Sequence, residues 1–207
     1  MKRLLTVFTV LLGLTAVAFL YQPRARADAG SSVKIGAPAP DFTLPNVNSA
    51  DNQTITLSSL KGKIVVISFD SKNCPVARAY HQRFNDFYST TVQTADTKAP
   101  VLFLAINSNE NEQAGDIKTA ADGYGAKYPI LKDAGSKVAD LYGAMCTPHV
   151  FIVDAQGNLR YIGAFDDAQR VSKVSQHYVA DAVAALQAGK DPSTPQTEPF
   201  GCAIHRP

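Results

Sequence analysis

Ile64-Val65-Val66-Ile67-Ser68-Phe69-Asp70-Ser71-Lys72-Asn73-Cys74-Pro75 is the stretch on which the fold turns. Its first six residues form a nearly continuous β-branched and aromatic run, as expected for a strand buried on both faces. A helix then starts at about Cys74, because proline suits the first helical turn, where its missing N–H costs nothing. Cys74 therefore sits at or beside the N-cap. Unpaired backbone N–H groups and the positive end of the helix dipole face its sulfur, and both favour thiolate. At about 100° per residue, Val76, Tyr80, Phe84 and Phe87 share one helix face, the expected core stripe. Cys74, Arg78, His81 and Asn85 share the other side. Arg78 is one turn from Cys74, so its charge favours thiolate further. Free cysteines are often inert core residues, but a cysteine at a helix start and off the core stripe reads as reactive. His81 reads as a solvated surface histidine.

Outward from this junction, strands and helices alternate. Phe42–Leu44 and Thr54–Leu57 are short strand-like pieces around an Asn/Asp-rich turn. Val101–Ile106 is a second buried strand. A polar loop from Asn107 to Gln113 leads into a helix from Gln113 to about Tyr124. Pro129–Leu131 is a short strand, and Ser136 is placed to N-cap a helix ending at Tyr142. Val150–Val153 and Leu159–Ile162 are strands joined by Ala155-Gln156-Gly157-Asn158, which is hairpin turn chemistry. Val171, Val174, Tyr178, Ala182, Val183 and Leu186 make a helical stripe. From Asp191 the chain becomes a Pro-rich tail that carries Cys202. The pattern predicts an α/β sandwich with a mixed central sheet.

The 207 residues suffice for one domain with a sizeable core, and 45% hydrophobic against 18% charged residues excludes wholesale disorder. The formal net charge of +2 is misleading. Of the 20 Lys and Arg residues, Lys2, Arg3, Arg24 and Arg26 precede Asp28, the first acidic residue. Without those four, 16 basic residues face 18 acidic ones, a net of −2. That speaks against a nucleic-acid partner. Met1-Lys2-Arg3, the apolar run Leu4–Leu20 and the small-x-small site Ala25-Arg26-Ala27 read as a secretory signal peptide over residues 1–27, with a cut after Ala27. The alternative is an uncleaved anchor facing the periplasm, since the run is near the short limit for spanning. Membrane association is expected only in that case. Residues 28–32 form a leader, 33–189 the domain and 190–207 the tail. The chain is expected to be periplasmic or secreted, where thiols either pair or do redox work.

Several segments complete a pattern: Gly36-Ala37-Pro38-Ala39-Pro40-Asp41-Phe42, Leu60-Lys61-Gly62-Lys63, Asn73-Cys74-Pro75, Tyr142-Gly143-Ala144-Met145-Cys146-Thr147-Pro148, Tyr161–Asp167 and Gly201-Cys202. Together they resemble the thioredoxin-like superfamily, and within it the redoxin or AhpC/TSA group (alkyl hydroperoxide reductase/thiol-specific antioxidant), in a peroxiredoxin-like branch with a single cysteine in the motif. The resemblance implies a three-layer sandwich and a cis Pro148 beside the active cysteine. It also implies a substrate groove at Pro75, Thr147 and Pro148, where Thr147 offers its backbone to an added strand. The candidate catalytic set is Cys74 and Ser71, which match the family motif, with Arg78, read from its place one turn along the helix. The chain departs from the pattern at three places. Position 77 is Ala, so no local Cys-x-x-Cys disulfide can form. Ile67 stands where the peroxiredoxin motif has proline, although Ser71 keeps the motif's hydroxyl. Pro148 stands where the peroxidase arginine is expected, so one donor to a peroxide is missing unless Arg78 replaces it.

The resemblance places Cys146 near Cys74, and the 13 steps from Gly189 let Cys202 reach as far as about 45 Å. A Cys146–Cys202 staple that leaves Cys74 free is the favoured pairing. A resolving role for Cys146 or Cys202 and an idle terminal Cys202 are the alternatives. The expected function is an exported thiol oxidoreductase whose Cys74 thiolate attacks disulfides or hydroperoxides. Its expected partners are a protein disulfide or peroxide substrate and a thiol reductant. No organic cofactor is called for. The alternative is a non-catalytic binding module, or a copper protein using Cys74 and His149. Asn107–Glu112 lacks the glycine of a calcium loop and reads as loop and cap. Asp166 and Asp167 read as a structural turn at least as readily as a catalytic pair.

Overall fold

The computed structural model describes residues 33–51, 53–96 and 99–207. The signal segment 1–27, its cut site and the leader 28–32 lie outside the described residues. Within these, no helix is long and apolar enough to cross a membrane.

The strands are β1 (Thr43–Pro45), β2 (Thr54–Thr56), β3 (Ile64–Asp70), β4 (Val101–Asn107), β5 (Ile130–Lys132), β6 (Cys146–Thr147), β7 (His149–Val153), β8 (Leu159–Gly163) and β9 (Cys202–Ala203). The helices are α1 (Pro75–Phe87), α2 (Ala114–Gly123), α3 (Lys137–Tyr142) and α4 (Tyr178–Gln187). The apolar run Ile64–Phe69 is the middle strand of a five-stranded sheet ordered β5-β4-β3-β7-β8, and every residue of β3 is buried. β3 runs parallel to β4 and antiparallel to β7, so the sheet is mixed. Side chains alternate across it. Ile64 and Val66 pack with Tyr80, Phe84 and Phe87 of α1, Ile117 and Ala121 of α2, and Val179 and Val183 of α4. Val65, Ile67 and Phe69 pack on the other face with Phe42, Leu44, Leu57 and the α3 residues Val138, Ala139 and Tyr142. The result is the expected three-layer sandwich. Its parallel strands end together, with Asp70 beside Asn107. The loops that leave those two carboxyl ends carry the cysteine and its supports, the usual place for a site in an α/β sheet.

Three local expectations are corrected. First, Ser136 does not cap α3. Its backbone is left-handed, at φ 55°, and its Oγ donates to Ser108 O at 2.6 Å. The cap is the Asp133 carboxylate, which accepts from Val138 N and Ala139 N at 3.1 and 3.0 Å and from Ser108 Oγ at 2.8 Å. Second, the apolar stripe that begins at Val171 is not one helix. Val171–Lys173 is a short 3-10 turn with Val171 exposed, and α4 starts only at Tyr178. Third, His81 and Asn85 are buried. The His81 ring stacks on Tyr124 at 4.0 Å and pairs with Asp70 at 3.2 Å. Asn85 donates to Tyr124 O and accepts from Lys127 N. Tyr124, just past the end of α2, covers the flank of α1 that carries His81 and Asn85, so only Arg78 of that group is exposed.

The tail is docked along its length. Ile162 N donates to Pro195 O at 3.1 Å, and Thr197 N donates to Ile162 O at 3.0 Å. The Thr197 hydroxyl accepts from Ala164 N. Replacing a buried, multiply bonded cap costs more than losing one hydroxyl contact. In urea unfolding, Asp133→Ala is expected to lose about 2–3 kcal/mol and Ser136→Ala about 1 kcal/mol. A larger loss for Ser136→Ala would contradict this assignment of the cap.

Candidate active site

Cys74 is the N-cap of α1, with extended backbone, and Pro75 is the first helical residue. Its sulfur accepts from Ala77 N at 3.4 Å, the kind of contact a thiolate at a helix start requires. The loop before it is held from below. Ser71 Oγ accepts from Cys74 N at 3.0 Å and Asn73 N at 3.1 Å. It donates to Glu112 Oε1 at 2.5 Å. Glu112 is only 1% exposed, and a carboxylate taken out of water needs donors on every side. It has them in Ser71 Oγ, Lys72 N at 2.9 Å, Asn73 N at 3.3 Å and Asn107 Nδ2 at 2.6 Å. Glu112 thus ties the loop after β4 to the loop after β3.

Of the residues singled out from the sequence, Ser71 therefore positions backbone and does not touch the sulfur. The exposed Arg78 lines an open cleft of about 800 Å³ between α1 and α2, with Lys72, Asn73 and His81. Thr147–Pro148 is cis. Thr147 O lies 3.3 Å from Cys74 Sγ, which brings Cys74, Pro75, Thr147 and Pro148 into one place. Sequence reasoning missed Glu112 as a support. Its only trace in the sequence is an acidic residue at the end of an Asn-rich loop.

The favoured Cys146–Cys202 staple is overturned. Cys74 is joined to Cys202, with Cα atoms 5.8 Å apart. Cys146 is buried and outside any disulfide. Strand register supplies the reason. β9 lies antiparallel to β6 with Cys202 opposite Thr147 and Ala203 opposite Cys146. Neighbouring residues of a strand face opposite sides, so Cys202 shares a face with Thr147 and Cys146 does not. Burial pushes the Cys146 thiol up to about 11, with the Glu198 charge adding to it, so this thiol stays protonated and unreactive.

His149 is also committed elsewhere. Its Nδ1 accepts from Met145 N at 3.3 Å, and its ring leans on Phe151 at 4.6 Å. Among the described residues, no group of three His, Cys, Asp or Glu side chains could hold a metal ion. Asp166 is a structural acceptor for Tyr80 OH at 2.7 Å and Arg83 at 2.5 Å, and Asp167 binds the turn at Ser175.

The AhpC/TSA family model matches residues 35–162. The chain belongs to the AhpC/TSA family. Among curated relatives, the thiol-disulfide oxidoreductase ResA of Halalkalibacterium halodurans is 27% identical over 156 residues, covering 75% of this chain and 80% of that one. Among solved structures, the hypothetical protein SMc02350 of Sinorhizobium meliloti superimposes with a TM-score of 0.69 at 30% identity, covering 85% of this chain and 96% of its own. An uncharacterized conserved protein of Geobacillus kaustophilus gives 0.72 at 28% identity, covering 86% and 95%. These AhpC/TSA and ResA likenesses carry the thioredoxin-like fold expected from the sequence.

The buried His149 gives this AhpC/TSA chain a pH signature. Its Nδ1 takes a backbone N–H, so the ring proton resides on Nε2, which has no partner among the described residues. Burial pushes the imidazole down from 6.5 to about 4. Between these values the unfolded chain binds a proton that the folded chain refuses. Stability is therefore full above about pH 6.5 and declines as pH falls toward about 4. Urea midpoints taken from pH 7 down to 4.5 are expected to fall more steeply in the wild type than in His149→Gln, which keeps an acceptor for Met145 N. Equal slopes would contradict this role for His149.

Proposed function

We propose that the chain is an exported thiol-disulfide oxidoreductase in which Cys74 is the nucleophile and Cys202 the resolving thiol. The observation that carries this reading is the Cys74–Cys202 bond at the start of α1, with an amide N–H on the Cys74 sulfur. The likeness to ResA and the signal-like residues 1–27 support it.

In the reduced protein, Cys74 thiolate attacks one sulfur of a substrate disulfide. A Cys74–substrate bond forms, and the other substrate sulfur leaves as thiolate. Cys202, deprotonated, then attacks Cys74 Sγ. The Cys74–Cys202 bond forms and the second substrate sulfur is released, so the substrate is reduced and the protein oxidised. An external thiol reductant returns the protein to its starting state. The N–H of Ala77 and the end of the helix stabilise Cys74 as the attacking thiolate and again as leaving group. Glu112 and Ser71 hold the loop so that these donors stay aimed.

A disulfide fits the site better than a hydroperoxide. Transfer of oxygen from a peroxide leaves charge on the departing oxygen and needs converging donors. Here the sulfur meets the Thr147 carbonyl, an acceptor, and position 148 is proline in place of the expected arginine.

Cys74→Ser is expected to lose at least a hundredfold in the reduction of a protein disulfide such as that of insulin. Cys202→Ser is expected to accumulate a Cys74–substrate mixed disulfide, visible by mass spectrometry, and Cys146→Ala to keep at least half of the wild-type rate. Wild-type turnover in Cys202→Ser would overturn the resolving role.

A further inference from the structure

The tail strand does more than deliver a sulfur. It lies where a substrate strand would have to lie. Cys202 sits opposite Thr147, the residue before the cis proline, and Ile204 N donates to Met145 O at 3.1 Å. The edge of β6 is therefore already paired, as in recognition by strand addition.

The fit is selective at two positions. Gly201 has φ 153°, and a Cβ built there would stand 2.0 Å from Thr147 O and 2.7 Å from Thr147 C. Those are backbone atoms, so no side chain fits at the position before the cysteine unless the strand shifts. Two residues after the cysteine, on the same strand face, Ile204 is 5% exposed and belongs to the apolar cluster with Val138, Ala139, Tyr142 and Ala144. Ala203, between them, is exposed. The tail thus reads as Gly-Cys-x-aliphatic, with the first and last positions set by the groove.

We propose that this groove takes, in place of the tail, an extended protein segment in which glycine precedes the reactive cysteine and an aliphatic residue follows two positions later. The proposal rests on Cys74 being the nucleophile and names the substrate class of that site. The tail is then a tethered copy of the substrate, held from its far side by modest contacts. Arg206 bonds Asp140 at 2.7 Å and Ala144 O at 2.7 Å, and His205 is tied to Asn109 and Glu110. A substrate must displace this strand to reach Cys74. When Cys202 attacks Cys74, the returning strand takes the same groove and expels the reduced substrate, so bond exchange and product release are one movement. No further reactant is needed beyond the substrate disulfide and the two thiols.

The test uses the full chain carrying Cys202→Ser, reduced, with peptides presented as mixed disulfides to thionitrobenzoate. Transfer of the peptide to Cys74 is followed by mass spectrometry. A peptide containing Gly-Cys-Ala-Ile is expected to couple at least tenfold faster than its Ala-Cys-Ala-Ile and Gly-Cys-Ala-Asp versions. Adding Arg206→Ala, which loosens the tail, is expected to raise its rate several-fold. If the three peptides couple within twofold of one another, or if Arg206→Ala changes nothing, the groove proposal is overturned while Cys74 stands as nucleophile. If no peptide couples to Cys74 in either chain, the underlying assignment of the nucleophile falls with it.

Discussion

The backbones of Thr147 and Cys202 run side by side, and that pairing governs the chemistry of the molecule. Three distant parts of the chain meet there: the start of α1, the turn into β7, and the tail. Each is fixed from a different direction. α1 begins where the buried strand β3 ends. Thr147 is fixed because His149 continues directly into the middle of the sheet, opposite Phe69. The tail is brought in along β8 and anchored again beyond Cys202 by the buried Ile204. Only with all three in place can a sulfur 128 residues away meet Cys74. The approach is close enough that a glycine at position 201 is a steric requirement and not a convenience.

Two buried carboxylates under this meeting point are matched by donors. Glu112 collects four donors, and through them the two loops at the ends of the parallel strands become one unit. Asp70 is matched by His81, which in turn stacks on Tyr124. Leaving such groups unpaired would cost the fold about 1–3 kcal/mol each, more for charges. Their pairing makes the loop rigid, and a rigid loop keeps the N–H of Ala77 on the sulfur. Burial acts oppositely on the other thiol. Buried Cys146 stays protonated.

Much of this was legible in the sequence, for physical reasons that also mark where legibility ends. A run such as Ile64–Phe69 reports its own burial, and Cys-Pro reports its own helix start, because both are local. The cis Pro148 and the three-layer fold followed from the family pattern. The burial of His81 was not legible, because periodicity shows which face of α1 meets the sheet but not that Tyr124 covers the flank beside it. The cap of α3 was misplaced on Ser136 because a carboxylate three residues earlier, across the left-handed pair Gly135 and Ser136, reaches further than a hydroxyl. The partner of Cys202 was misassigned because chain length tells how far the tail can reach, whereas strand register decides which sulfur it faces. Glu112 shows the same limit: three of its four donors come from a loop about 40 residues away.

The proposed chemistry depends on the tail's cysteine pairing with Cys74. Peptide mapping of the oxidised protein under acid quench decides the pairing. The expected result is a peptide pair linking Cys74 to Cys202, with Cys146 recovered as free thiol. A Cys146–Cys202 link with Cys74 free would contradict it.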